Sequence, residues 1–231
     1  MQQVLELPRE TRAAPDSGDR IAEELRGFGF PGIAAMLVIL LAAPMSAILV
    51  MVWARWSRTP WREIGFVRPR SWAGSLAAGI AFGIALKFAM KTIVMPLLGA
   101  PPINQAFHYL AGNRAALPAA VYAMIVGAGF GEETIFRGYL FERFGKLLGP
   151  GAWTKTLIVM ITAGWFGLAH YSLQGLAGVE QATIVGLVFG TIFAVTRRIW
   201  FLMVAHAAFD LTALAIIYWN LESTVAHLIF K

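Results

Sequence analysis

Two adjacent carboxylates and an arginine, Glu132, Glu133 and Arg137, interrupt an otherwise apolar run, Val126-Gly-Ala-Gly-Phe-Gly-Glu-Glu-Thr-Ile-Phe-Arg-Gly-Tyr-Leu140. Residues 117–130 before the pair are almost wholly apolar, so the charges fall where a membrane helix has its middle. One charged side chain at that depth costs roughly 2.5 to 3.5 kcal/mol, and three unpaired ones about 10, comparable to the whole stability of a domain. They must be paired or put to use. In an α-helix residues four apart share a face while successive residues are rotated by about 100°, so Glu133 lies over Arg137 and Glu132 points elsewhere. Glu133 is then the expected salt-bridge partner and Glu132 the carboxylate left for chemistry. The alternative is a structural network in which Arg137 serves both carboxylates.

Two further pairs recur at the same spacing on separate apolar stretches: Phe166 with His170, and His206 with Asp210. A glutamate and two histidines gathered in a cavity can hydrolyse a bond in two ways. Without a metal, Glu132 acts as general base on a water while an imidazole positions that water or stabilises the oxyanion. With zinc, His170, His206 and one carboxylate are the ligands. The chain contains no His-Glu-x-x-His motif, and the absence of cysteine rules out a disulfide framework, a thiolate metal site and a cysteine nucleophile.

These groups need apolar elements to hold them. A chain of 231 residues that is 58% hydrophobic, with a mean hydropathy of +0.65, is too apolar for a soluble globule and is one domain's worth of membrane protein. The fold expected is all-α, a polytopic transmembrane helical bundle of about six spans with a polar intramembrane cavity. The spans are expected near residues 28–54, 72–98, 115–148, 153–170, 180–195 and 200–219, with a polar link over 171–179. Residues 1–27 read as a mobile tail with an interfacial helix from Asp19, residues 28–220 as the membrane domain, and residues 221–231 as a C-terminal tail. Lys87 and Lys91, four apart in the second span, are expected to snorkel or to pair with an acid of the bundle. His108 and His227 read as inert, and Gly79 and Gly83 as serving close packing inside the bundle rather than a dimer.

Charge orients the bundle. Ten basic residues, Arg55, Arg58, Arg62, Arg68, Arg70, Arg143, Lys146, Lys155, Arg197 and Arg198, follow the first, third and fifth spans, against Arg114 alone in the intervening loops. The basic loops are therefore expected on the cytoplasmic side of the cell membrane, although strict alternation then places the arginine-containing N-terminal tail outside. The net charge of +6 suits anionic lipid headgroups, and no nucleic-acid motif is present, so nucleic acid is excluded as a partner.

Glu132-Glu133-x-x-x-Arg137, Phe166-x-x-x-His170 and His206-x-x-x-Asp210, in that order on successive apolar helices, together resemble the three motifs of the CAAX-type prenyl endopeptidase and bacteriocin-processing (ABI, or CPBP) family, also classed among intramembrane metalloproteases. Gly65-Phe66-Val67-Arg68-Pro69 is also similar, and the resemblance covers about residues 60 to 215. It implies a helical membrane endopeptidase with Glu132 as water-activating base and His170 as the histidine that holds the water. His206 and the fourth residue after it would stabilise the oxyanion. Glu133, Arg137 and Phe166 would support the site. No cofactor is expected, with zinc as the alternative. The implied partners are the bilayer and a peptide or membrane-protein substrate, prenylated or not. Asp210 departs from the family pattern, in which asparagine is common, because an ionised aspartate cannot donate a hydrogen bond to an oxyanion; it must orient His206 or be protonated itself. Two readings from other classes compete: a non-catalytic membrane partner or bacteriocin-immunity protein of the same fold, and a proton-coupled transporter using Glu132 and Asp210, which the lack of an internal repeat disfavours.

Overall fold

The computed structural model describes residues 40–230. The expected N-terminal tail, its interfacial helix and the first part of the first span lie outside the described residues. Among the described residues the chain is helical without strands, and five helices are long and apolar enough to cross a membrane. In chain order they are α2 (Trp72–Leu97), α3 (Leu117–Leu148), α4 (Ala152–Ala169), α5 (Tyr171–Thr196) and α6 (Ile199–Tyr218), preceded by a shorter apolar α1 (Leu40–Trp56). A short α7 (Glu222–Ala226) follows. Their outer faces carry Leu76, Ile80, Ile84, Leu157 and Met160 exposed, the surface a lipid solvent rather than water would cover. The protein is a multi-pass membrane protein.

Starts and stops follow local chemistry. Ser71 caps α2 by accepting from the Gly74 amide at 3.1 Å. The Gly149-Pro150-Gly151 break separates α3 from α4, with Gly149 at φ +79° and Gly151 at φ +155°. Gly65, at φ +87°, lies under the Phe193 ring where a side chain would collide, and its carbonyl accepts the first amide of α6, from Ile199, at 3.1 Å. The same end of the bundle is tied by Lys146 to Glu63 at 3.2 Å, by Arg197 to the Glu63 carbonyl, and by Trp72 edge-on to Trp200. The basic stretches counted above therefore gather at one end of the molecule. Burial pushes the Arg197 guanidinium below its ordinary range, against the pull of Glu142 and Glu63.

α4 packs along α5 and α2 along α6, while the first half of α3 lies on α6. The main core, with Phe141, Phe189, Phe193, Leu202, Met203 and Phe209, fills the space between these helices. Gly79 and Gly83 face α6 inside the bundle, as expected of them. Gly129 brings α3 onto α6 so closely that a Cβ there would come within 2.8 Å of the Met203 carbonyl oxygen.

Two expectations are corrected. The polar link over 171–179 is helical: α5 starts at Tyr171, with only His170 between it and the end of α4, and the break is confined to Gly175 at φ 61°, ψ −156°. Its polar residues made the stretch look like a loop, yet a single glycine absorbs the turn. The stretch after residue 221, read as a tail, contains α7, and its Glu222 is buried. Glu222 accepts from the Asn104 amide at 2.8 Å, contacts His108 Nδ1 at 3.2 Å and pairs with Lys91 at 3.7 Å.

Candidate active site

α3 is not a regular α-helix where its charges lie. Ala123–Glu132 and Thr134–Tyr139 are wound with i→i+5 hydrogen bonds, a winding that is rare and frequent at functional sites. A turn closed five residues on takes more residues than one closed four on, so neighbours are rotated by less than the α-helical 100°. Glu132 and Glu133 consequently do not diverge as α-helical spacing predicts. Both reach the same imidazole.

Arg137 Nη1 donates to Glu133 Oε1 at 2.9 Å, the pairing expected from sequence, with side-chain exposures of 2% and 0%. The same Oε1 lies 2.7 Å from His206 Nδ1 on α6, so Glu133 both neutralises Arg137 and fixes the ring across the helix interface. His206 Nε2 is thereby turned toward Asp210 Oδ2 at 3.7 Å and Glu132 Oε2 at 3.9 Å. Glu132 and Asp210 keep 26% and 27% of their side chains exposed. The site thus has a buried half that holds, Glu133 with Arg137, and an open half, Glu132 with Asp210. Among the described residues, the buried oxygens Glu132 Oε2 and Glu133 Oε2 make no hydrogen bond.

Phe166 on α4 is the wall. Its ring packs edge-on against Phe136, His170 and His206, with centroids 4.9, 4.7 and 6.0 Å away, and the Arg137 guanidinium lies over it at 4.8 Å. His170, at the α4–α5 junction, has its Nδ1 2.8 Å from the Phe166 carbonyl oxygen, which leaves Nε2 as its free nitrogen. Phe189 on α5, which gave no polar signal in the sequence, lies 5.6 Å from the His206 ring and 5.5 Å beneath Arg137. It is fully buried and packs both sides of the Glu133 hub.

Of the residues singled out from sequence, Glu132, Glu133, Arg137, His206 and Asp210 meet directly, and Phe166 joins His170 to them. Among the described residues no three His, Cys, Asp or Glu are grouped to hold a metal ion. Lys91 finds the bundle acid expected of it in Glu222, but Lys87 does not; its Nζ donates to the Gln181 amide oxygen at 3.2 Å. His108 is tied to Glu222, and the exposed His227 bonds only within its own short helix, to Ser223.

Residues 114–212 match the protein-family model described as Type II CAAX prenyl endopeptidase Rce1-like. The matched stretch contains all the residues that meet at the site. No curated protein and no solved structure matches the chain.

Proposed function

From the Rce1-like CAAX prenyl endopeptidase match over residues 114–212 as premise, we propose that the chain is an intramembrane endopeptidase that hydrolyses a peptide bond with a water activated by Glu132. The observation that carries this reading is the split of the site: one carboxylate is spent on fixing His206 Nδ1, and the other faces Nε2 from an open edge. Glu132 removes a proton from water as the water oxygen bonds to the scissile carbonyl carbon. Negative charge developing on the carbonyl oxygen is met by His206 Nε2–H, whose cationic form is stabilised by Glu133 behind it and Asp210 beside it. The tetrahedral intermediate collapses by breaking the carbon–nitrogen bond, and Glu132 returns its proton to the departing amine. His170, through its free Nε2, orients the water. Asp210 acts by orienting and charging His206 rather than by donating to the oxyanion.

Cleavage takes place near the cytoplasmic leaflet, on the side of the basic loops, on a peptide or membrane-protein substrate. The matched family name favours a prenylated CAAX terminus. The test is cleavage of fluorogenic peptides, lipidated and unlipidated, by the detergent-purified chain and by Glu132→Gln, each with and without a strong zinc chelator. Cleavage by the wild type that survives the chelator and disappears in the variant is expected. Loss on chelation would replace the mechanism with a metal-assisted one, and failure to cleave any peptide would overturn the reading as an enzyme.

A further inference from the structure

The basic side chains at the end of the bundle where the arginines gather fall into two sets. Lys146 holds Glu63 at 3.2 Å, Arg143 holds Glu142, and Arg197 donates to the Glu63 carbonyl oxygen, so both acids of that end are engaged. Arg55, Arg58 and Arg62 are exposed and make no ion pair among the described residues. Three positive charges without an acid therefore stand where α1 leaves the apolar layer.

The same turn walls a groove. α1 buries Ala47, Val50 and Ala54 and leaves Ile48, Val52 and Trp56, each four residues from the next, on its outer face, with Trp56 86% exposed. The chain reverses just after it: Arg58 is left-handed at φ +57°, and the amide of buried Thr59 donates to the Ala54 carbonyl oxygen at 2.9 Å. Trp61 is thereby brought back beside α1. It is fixed there by its carbonyl, which accepts the Phe66 amide at 2.9 Å, and by its ring, which lies edge-on to Phe66. Between the two walls an open groove of about 470 Å³ is lined by Ile48, Met51, Val52, Arg55, Trp56 and Trp61. That is the size of a small-molecule site. From Arg55 to Ile48 the lining runs about 10 Å along the helix, so a charged head leads into an apolar trough.

We propose that this groove binds one glycerophospholipid with an anionic headgroup. The phosphate meets the Arg55 guanidinium, whose planar donors match phosphate oxygens, and Arg58 and Arg62 add positive charge from the turn. One acyl chain lies along Val52, Met51 and Ile48. The indole N–H groups of Trp56 and Trp61 make no hydrogen bond among the described residues and are free to donate to the ester carbonyls at the interface. Bulk lipid covers any apolar membrane face; this one differs in having a preformed wall and a charge that the protein leaves unmatched. A zwitterionic headgroup would bring its own cation among three arginines, which sets the preference for an anionic one. None of the lining residues belongs to the proposed hydrolytic site, so the two readings stand or fall separately.

The test is titration of the full chain, in uncharged detergent, with phosphatidylglycerol or phosphatidylcholine carrying brominated acyl chains, read by quenching of tryptophan fluorescence. Saturable quenching is expected with phosphatidylglycerol at an affinity at least tenfold above that for phosphatidylcholine. Each arginine near the membrane surface is worth about fivefold, so Arg55→Gln should weaken binding by about that factor, and the triple change of Arg55, Arg58 and Arg62 to Gln by about a hundredfold. Replacing Trp56 and Trp61 together by Phe should remove the saturable component, which assigns it to this groove among the eight tryptophans of the chain. These side chains are exposed, and an unchanged Tm in lipid-free detergent will show that the variants remain folded. Equal affinity for the two lipids, arginine variants that bind like the wild type, or quenching that survives the loss of both tryptophans would overturn the proposal. Displacement of the lipid by inorganic phosphate would do so too, reducing the site to an anion site. A photoreactive group placed at Val52 in anionic liposomes should label lipid; labelling of residues 1–39 or of a second copy of the chain would show another occupant and overturn the assignment.

Discussion

Glu133 and Glu222 are both buried carboxylates in contact with a histidine and a cation, one at each of two polar clusters inside the same apolar bundle. At Glu222 each oxygen has a partner: Oε1 takes the Asn104 amide and Lys91, and Oε2 faces His108. At Glu133 only Oε1 is engaged, by Arg137 and His206, and neighbouring Glu132 turns Oε2 toward the same imidazole without a hydrogen bond. The first arrangement is closed and ties the loop after α2 to α7. The second is held from behind and left incomplete in front, which costs stability and leaves groups available to a reacting molecule.

The largest effect that tests this contrast is at the open edge. Glu132→Gln keeps the shape and removes the base, so cleavage should fall by about 10²–10⁴-fold while Tm stays at or above that of the wild type, because a carboxylate without a hydrogen bond is being neutralised. A large fall in Tm together with activity would make Glu132 part of the scaffold and erase the distinction. Glu133→Gln should damage both properties. Arg137 would be left in the interior without its anion, at about 3–5 kcal/mol, and His206 would lose the contact that aims Nε2, a misplacement worth about 10²-fold in rate. Denaturant melts alongside kcat would separate the two variants.

The two clusters were not equally legible from the chain. Glu133–Arg137 and His206–Asp210 could be paired in advance because spacing by four on apolar helices places them on common faces, and the arginine and tryptophan clusters marked the ends of the spans after Trp72. That Glu132 shares the His206 ring depends on i→i+5 winding, for which the run Gly127-Ala-Gly-Phe-Gly131 carries no periodic signature. Phe189 could not be singled out because an aromatic beside a hub and an aromatic in plain core look alike in one sequence. Glu222 was assigned to a tail because a lone acid in a polar-flanked stretch gives no sign of partners about 120 residues earlier. The segment over 171–179 read as a loop through its glycines and polar residues, whereas packing against α4 overrides local propensity and leaves one strained glycine.

At the closed cluster the expectation reverses: stability should move and chemistry should not. Glu222→Gln keeps one acceptor for the Asn104 amide but loses the charge facing Lys91 and His108, so it should cost about 1–3 kcal/mol with kcat per folded molecule unchanged. The smallest effect belongs to His108→Ala. Its ring is 39% exposed, so its ion pair is screened by solvent, and the loss should be about 0.2–1 kcal/mol and shrink as salt is raised. A His108 variant that altered kcat while leaving Tm alone would show that the far cluster communicates with His206. Unchanged kcat in both variants would confine the chemistry to the cluster whose carboxylates are left partly unbonded.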